Sequence, residues 1–314
     1  MIKKIGVLGA GTMGHGIAEA FAIHEYEVNL YEIDDKIRNN VKEQIREELK
    51  LLAEEKIIKN GDIEHILRRI DLYSEVKPAV KDRDYVIEVV PENLHLKQKI
   101  FKELDNYCPE HAILATNTSS LSLKKITDGI SKERKQKIMV NHWYNPAHIM
   151  PIAELSYFAE VSDETYDRVQ KLYESIGKQT VKVKKDIPGL VANRIQQGVA
   201  REVFSLIEKG VAEPEDIDKA LKFGPAFRYA TTGQLEIADF GGLDIWSIVG
   251  DNLLKEMDNS QSANPLLRKK VEEGKLGLKS GEGFYKYPES EKKEIKDKYI
   301  KKLIHQLKTS DYYQ

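Results

Sequence analysis

The run GVLGAGTMGHG, from Gly6 to Gly16, constrains the fold of this chain more than any other stretch. Gly9, Gly11 and Gly14 form G-x-G-x-x-G around Thr12 and Met13. The triplet follows a short apolar run at 4–8 and opens a helix carrying Ile17, Ala18, Ala20 and Phe21. A second strand, EVNLYEID, comes next. Three glycines alone are a weak pattern, but inside a strand–helix–strand unit they specify a loop for a dinucleotide pyrophosphate. The first permits the tight turn, the second lets backbone approach the phosphates, and the third packs helix on strand. The helix N-terminus then offers its free N–H groups to the anion. Glu32 ends the second strand. A carboxylate there accepts hydrogen bonds from ribose hydroxyls and repels a 2′-phosphate, so NAD is expected over NADP.

Strands and helices alternate through the first part of the chain. DYVIEVV, AILAT, KIMVNHWY, MPIAELSY and QTVKVKK read as further strands, with helices over about 94–106 and 163–176. Residues 35–70 are charged, with Ile37, Val41, Ile45, Leu49 and Leu52 three or four apart, and read as an amphipathic helical hairpin. Such alternation implies a mostly parallel sheet covered on both faces. The pattern stops at KKDIPGLVANRI, where Pro188 and Gly189 mark a break. Beyond it only helical periods appear, at 190–209, 214–221, 234–258, 263–273 and about 289–307. In the last, Ile295, Tyr299, Leu303 and Leu307 form the expected apolar stripe. The expected fold is therefore α/β, a Rossmann-type doubly wound sheet over 1–185 with a helical insertion near 35–70. An all-helical domain over 186–314 follows it.

A chain of 314 residues is long enough for two such cores. Its 49 basic and 51 acidic residues nearly balance, which gives no pull toward nucleic acid or a membrane surface. No apolar run is long enough to span a bilayer. The start shows no signal-type segment. The single cysteine, Cys108, rules out an internal disulfide and a Cys-rich zinc site, and no metal is expected. A reducing cytoplasm is the expected compartment.

Candidate site residues cluster where strands end, which is where open α/β sheets bind ligands. Glu88, Glu92 and Lys97 lie at one strand–helix junction, and Asn117, Ser119 and Ser120 at the next. Ser119 serves equally well as a helix cap. His142 follows the apolar strand IMV, and Glu154 lies on the following strand. Dehydrogenation of an alcohol needs a base for the hydroxyl proton, and histidine titrates near neutral pH. A carboxylate beside it would set its tautomer and stabilise the imidazolium. A buried structural histidine is the plainer alternative. Asn193, which opens the helical region, can cap, pack or donate to a substrate oxygen.

Together these motifs resemble the 3-hydroxyacyl-CoA dehydrogenase family. The likeness runs through GVLGAGTMGHGIA, VIEVVPENLHLKQKIF, TNTSSLS, NHWYNPAHIMPIAEL, DIPGLVANRI and KLGLKSGEGFYKY, in that order. It implies a catalytic His142–Glu154 pair, substrate roles for Ser119 and Asn193, and NAD contacts from Glu32, Glu92 and Lys97. It also implies a helical domain that pairs two chains into a homodimer, and a small-molecule substrate that is a short-chain (S)-3-hydroxyacyl-CoA of fatty acid metabolism. Lys56 is then the candidate cation for the CoA moiety. Some residues depart from the family pattern. His148 and Pro151 are unusual after the catalytic histidine, and Glu48 stands where acyl-CoA enzymes tend to carry a small polar residue. The run FRYATTGQLE is closer to relatives that act on CoA-free hydroxy acids, such as gulonate and carnitine dehydrogenases. A CoA-free substrate is thus the alternative, and a non-enzymatic crystallin-like role a distant one.

Overall fold

The computed structural model describes residues 2–310. Residues 311–314 of the expected helical domain lie outside this range. The chain divides into two compact units, 1–191 and 192–314, a few residues beyond the Pro188–Gly189 break.

In the first unit eight strands form one sheet in the order β3-β2-β1-β4-β5-β6-β7-β8. They are β1 (Lys4–Leu8), β2 (Glu27–Tyr31), β3 (Ile70–Tyr73), β4 (Tyr85–Glu88), β5 (Ile113–Thr116), β6 (Ile138–Trp143), β7 (Ile152–Ser156) and β8 (Gln179–Val183). The first six run parallel; β7 pairs antiparallel with β6, and β8 follows β7. The central strands are apolar on both sides, as a sheet covered on both faces requires. Helices α1 (Gly14–Ile23), α2 (Asp35–Glu54) and α3 (Ile63–Arg68) precede β3. After it come α4 (Val76–Val80), α5 (Leu94–Tyr107), α6 (Leu123–Ile126), α7 (Lys132–Lys135) and α8 (Asp163–Glu174).

Each long helix begins for a local reason. Asp34 caps α2 by accepting from the N–H groups of Lys36 and Ile37. Asn93 caps α5 through Leu96 N–H, and Ser162 caps α8 through Thr165 N–H. Val41, Ile45, Leu49 and Leu52 form the buried stripe of α2. On one face Leu8, Val86, Leu114 and Val140 pack under Phe101 and Leu104 of α5. An aromatic group sits elsewhere in the core, where Phe21 of α1, Tyr85 of β4, Trp143 of β6 and Tyr173 of α8 meet at centroid distances of 5.2–6.3 Å. Its polar ends are satisfied. Trp143 Nε1 donates to Tyr173 Oη at 2.8 Å, and Asn141 Nδ2 to Tyr85 Oη at 2.7 Å. Buried Lys178 donates to the carbonyls of Ala147 and Met150 and lies 4.5 Å from the Trp143 ring. The residues on both sides of His142 are thereby anchored.

The second unit is helical, with α9 (Ala192–Glu208), α10 (Pro214–Phe223), α11 (Pro225–Tyr229), α12 (Gln234–Gly241), α13 (Leu243–Leu253), α14 (Pro265–Glu272) and α15 (Lys292–Ser310). Phe204 of α9 stacks on Phe284 at 5.6 Å.

Three expectations need correction, and one strand is additional. The helix expected over 234–258 is two helices, because Gly242 takes φ +88, outside the right-handed helical region. The helix expected from 190 starts at Ala192, because Gly189 and Leu190 also have positive φ. In α15 the fully buried positions are Ile300 and Ile304, whereas Tyr299 of the expected stripe is exposed. Strand β3 was not anticipated; it is four residues long and carries Asp71. Among the described residues no helix is long and apolar enough to cross a membrane.

Candidate active site

The glycine loop has the geometry its spacing implies. Gly9 has φ +106, and a Cβ there would lie 2.9 Å from the Val89 carbonyl oxygen. A Cβ on Gly14 would strike the Gly9 carbonyl at 1.7 Å. Gly11 differs: a Cβ there would meet nothing within 4 Å. No packing within the protein requires that glycine, so the open space beside it is left for a ligand. No side chain caps α1 behind the loop; the His15 N–H turns back to the Gly11 carbonyl at 3.4 Å, and the helix start still faces an anion with its positive end.

The loop opens on a cleft of about 930 Å³. Of the expected cofactor residues, Gly9, Gly11, Thr12, Met13, Glu32, Glu92, Lys97 and Asn117 all line it, as does Ser119. Gly14 lies behind it in the first turn of α1. Glu32 Oε2 accepts from Ala10 N–H and Oε1 from Asp34 N–H, both at 2.9 Å. Each oxygen keeps a second lone pair for a ribose hydroxyl. The donors and the space fit a bound NAD.

Behind the cleft lies a polar network that sequence reading placed only as scattered strand-end residues. Lys97 Nζ donates to Glu88 Oε1 at 2.7 Å, to the Val90 carbonyl at 3.3 Å, and lies 3.3 Å from Glu92 Oε2. Glu88 also accepts from Thr116 Oγ1 and Val90 N–H, each at 2.7 Å. Glu92 accepts from Ser120 Oγ at 2.8 Å and from Thr118 Oγ1. Burial holds the Glu88 carboxyl above its ordinary range, and the Lys97 ammonium pulls it back. Glu92 is lowered: its partial burial acts upward, but the Thr118 and Ser120 hydroxyls and Lys97 outweigh it.

His142 and Glu154 face each other directly across the β6–β7 pair. The loop between them brings a sequence separation of twelve into contact. His142 Nδ1 lies 2.9 Å from Glu154 Oε2, and both side chains are buried. A carboxylate only accepts, so Nδ1 carries the proton and Nε2 is the ring nitrogen left outside this contact. Glu154 Oε1 accepts from Val191 N–H at 2.8 Å, and Tyr144 Oη is 3.4 Å from Oε2. Asn117 Oδ1 accepts from Trp143 N–H at 2.8 Å, which ties the cleft rim to the strand carrying His142. Ser119 is held by its carbonyl, which accepts from Gly189 N–H at 2.7 Å.

One predicted residue of this unit, Lys56, is not drawn into this group. Asn193 lies in the first turn of α9, in the second unit. Lys56 is exposed just past the end of α2, with φ +59; its N–H and that of Ile57 close the helix on Ala53 and Leu52.

A doubly wound sheet, a phosphate-binding glycine loop, a ribose-binding carboxylate and a His–Glu pair on the adjoining strands define an NAD-dependent dehydrogenase. A profile of the 3-hydroxyacyl-CoA dehydrogenase NAD binding domain matches residues 4–187, and a profile of that family's C-terminal domain matches 189–287. The chain belongs to the 3-hydroxyacyl-CoA dehydrogenase family. It is 36% identical over 289 residues to a probable 3-hydroxybutyryl-CoA dehydrogenase of Bacillus subtilis, spanning 92% of this chain and 98% of that one. It is 31% identical over 304 residues to the 5-formyl-3-hydroxy-2-methylpyridine 4-carboxylate 5-dehydrogenase of Mesorhizobium japonicum, spanning 97% of both. The crystal structure of a dehydrogenase of that pyridine carboxylate, an NAD+-dependent dismutase, matches with a TM-score of 0.90 at 29% identity, over 100% of both chains.

The position of Glu32 makes cofactor choice testable. A 2′-phosphate would meet its carboxylate, so NAD(H) should be preferred over NADP(H) by at least about tenfold in kcat/KM, which takes only ~1.4 kcal/mol. Equal efficiencies would mean that Glu32 does not face the ribose.

Proposed function

We propose that this protein oxidises the hydroxyl carbon of a small CoA-free hydroxy acid or alcohol with NAD, or runs the reverse reduction. His142 is the acid–base group. The observation that carries the reading is the buried 2.9 Å contact of His142 Nδ1 with Glu154. It leaves Nε2 to take the hydroxyl proton while hydride leaves the same carbon. Glu154 then balances the imidazolium charge. A nicotinamide bound in the cleft supplies the hydride acceptor. Ser119 and Asn193 are the groups proposed to hold the substrate oxygens.

The choice of a CoA-free substrate rests on charge. A CoA thioester brings phosphates that need uncommitted cations along α2. There Arg46 is paired with Glu43 and Glu64, Lys50 with Glu47, and Arg38 with Asp35, which leaves Lys36 and Lys42 as the helix's cations outside an ion pair among the described residues. Glu48 adds an acidic side chain to the same helix. The likeness to a pyridine-carboxylate dehydrogenase along the whole chain supports the same choice. The second reading, a short-chain 3-hydroxyacyl-CoA, is favoured by the Bacillus subtilis relative. NADH absorbance with a substrate panel separates the two. CoA-free hydroxy acids and ring-borne alcohols should turn over, with acetoacetyl-CoA no better than free acetoacetate. If acetoacetyl-CoA is reduced at least about a hundredfold more efficiently, and Lys56→Glu raises its KM at constant kcat, the substrate is the thioester.

We also propose a two-fold homodimer built through the helical unit. On α12 and α13, Leu235 is 83% and Phe240 82% exposed, and Leu243, Ile245, Trp246 and Ile248 lie exposed beside them. So much open apolar surface marks an interface. Light scattering at micromolar concentration should give twice the 35.9 kDa chain mass. A species of 35.9 kDa alone would rule the dimer out.

A further inference from the structure

Three ionisable side chains that hydride transfer does not use converge inside the first unit. Glu19 comes from α1, Glu48 from α2 and His148 from the β6–β7 connection. Each offers one donor atom, and the three atoms lie within 4.8 Å of one another. His148 Nδ1 is 3.6 Å from Glu19 Oε2 and 4.0 Å from Glu48 Oε2. Both gaps exceed the range of a good N–H···O hydrogen bond. They come near the spacing of ligands around a shared cation: two bonds of about 2.1 Å at the tetrahedral angle put their donor atoms ~3.4 Å apart, close to the first gap and short of the second.

Glu19 supplies a second, independent observation. It is fully buried, and neither of its carboxylate oxygens has a hydrogen-bond donor. Two carboxylates held this close, the Glu19 one fully buried and the Glu48 one partly exposed, favour a proton or a cation between them. The surroundings are built as well. His15 donates from Nδ1 to the Gly11 carbonyl at 2.7 Å and brings Nε2 within 3.3 Å of Glu48 Oε2. Gln44 Nε2 lies 3.4 Å from Glu48 Oε1. Outer contacts of this kind orient a ligating carboxylate.

We propose that Glu19, Glu48 and His148 form a site for one divalent first-row transition-metal ion of the Zn2+ or Co2+ class, with water in the open positions. One imidazole and two carboxylates suit such ions better than softer ones. A 2+ charge neutralises both carboxylates. The ion would tie α1 and α2 to the connection that leaves the catalytic histidine's strand, so its effect is on stability rather than on the hydride step. Sequence reading expected no metal here.

The test uses chelator-treated full-length protein titrated with Co2+, followed by visible absorption and by equilibrium dialysis with metal analysis. The expected result is one Co2+ per chain at micromolar affinity or better, a d–d absorption band, displacement by Zn2+ and a raised melting temperature. Glu19→Gln and His148→Gln should each weaken binding at least about tenfold, while His142→Asn should leave it intact. If Glu19→Gln does not fold, His148→Gln carries the comparison. No saturable binding below about 1 mM overturns the proposal and leaves the two carboxyls sharing a proton. Undiminished affinity in both glutamine variants, or loss in His142→Asn, places the ion elsewhere and overturns it equally.

Discussion

Replacing His142 with asparagine should lower turnover by about 10²–10⁴-fold, the range lost when a positioned acid–base group is removed. Folding and NADH affinity should survive. His142 sits at the carboxyl end of β6, and the neighbours that anchor that strand are Asn141 and Trp143, whose contacts the substitution leaves alone. Glu154→Gln should also slow the reaction, for a specific reason. The Glu154 carboxylate accepts from His142 on one oxygen and from Val191 N–H on the other. An amide has a single oxygen, so one of these donors must face an NH2 group. Either the histidine tautomer or the anchor to Val191 is lost. Turnover measured under single-turnover conditions, with NADH fluorescence as the binding control, checks both variants. Near-normal turnover in His142→Asn would remove this residue from the mechanism.

That pair also shows how far sequence carries. The strands at 138–143 and 152–156 were legible as apolar runs, and the Asn-Pro pair as a turn. Their antiparallel register was not, because register is a property of two strands and is set by what each face must bury. The glycine loop was legible in full, since its three constraints are local. The Lys97–Glu88 contact was not, because a lysine at the start of a helix ordinarily reads as solvated. Burial shows only when β4, β5 and α5 are assembled. Glu19, Glu48 and His148 come from three separate segments; two of them were noticed only as departures from a family pattern. In the helical unit, periodicity ran straight through Gly241 and Gly242, since a glycine in a helical pattern is tolerated until its φ turns positive.

Lys97→Met should be among the most damaging single changes to stability, costing about 3–5 kcal/mol, the usual penalty for stripping one partner from a buried ion pair. Lys97 is almost wholly buried and uses its ammonium on Glu88, Glu92 and the Val90 carbonyl. Without it, Glu88 keeps only the Thr116 hydroxyl and Val90 N–H, with a charge left in a dry interior. The sign of the pH dependence follows. Glu88 is already raised by burial, and losing Lys97 removes the charge that pulls it back. A carboxyl raised in the folded state costs stability above its folded pKa. That cost is relieved as the pH falls through the folded value toward the unfolded one near ~4.3. The deficit of Lys97→Met should therefore be largest at neutral pH and shrink in mild acid. Glu88→Gln combined with Lys97→Met removes both charges, so the double variant should recover more than half of the loss. Denaturation without cofactor, followed by Trp143 fluorescence in a Trp246→Phe background, reports on the unit that holds the pair. A loss below about 1 kcal/mol in Lys97→Met, or a double variant no better than the single one, would mean that Lys97 does not compensate a buried Glu88 charge.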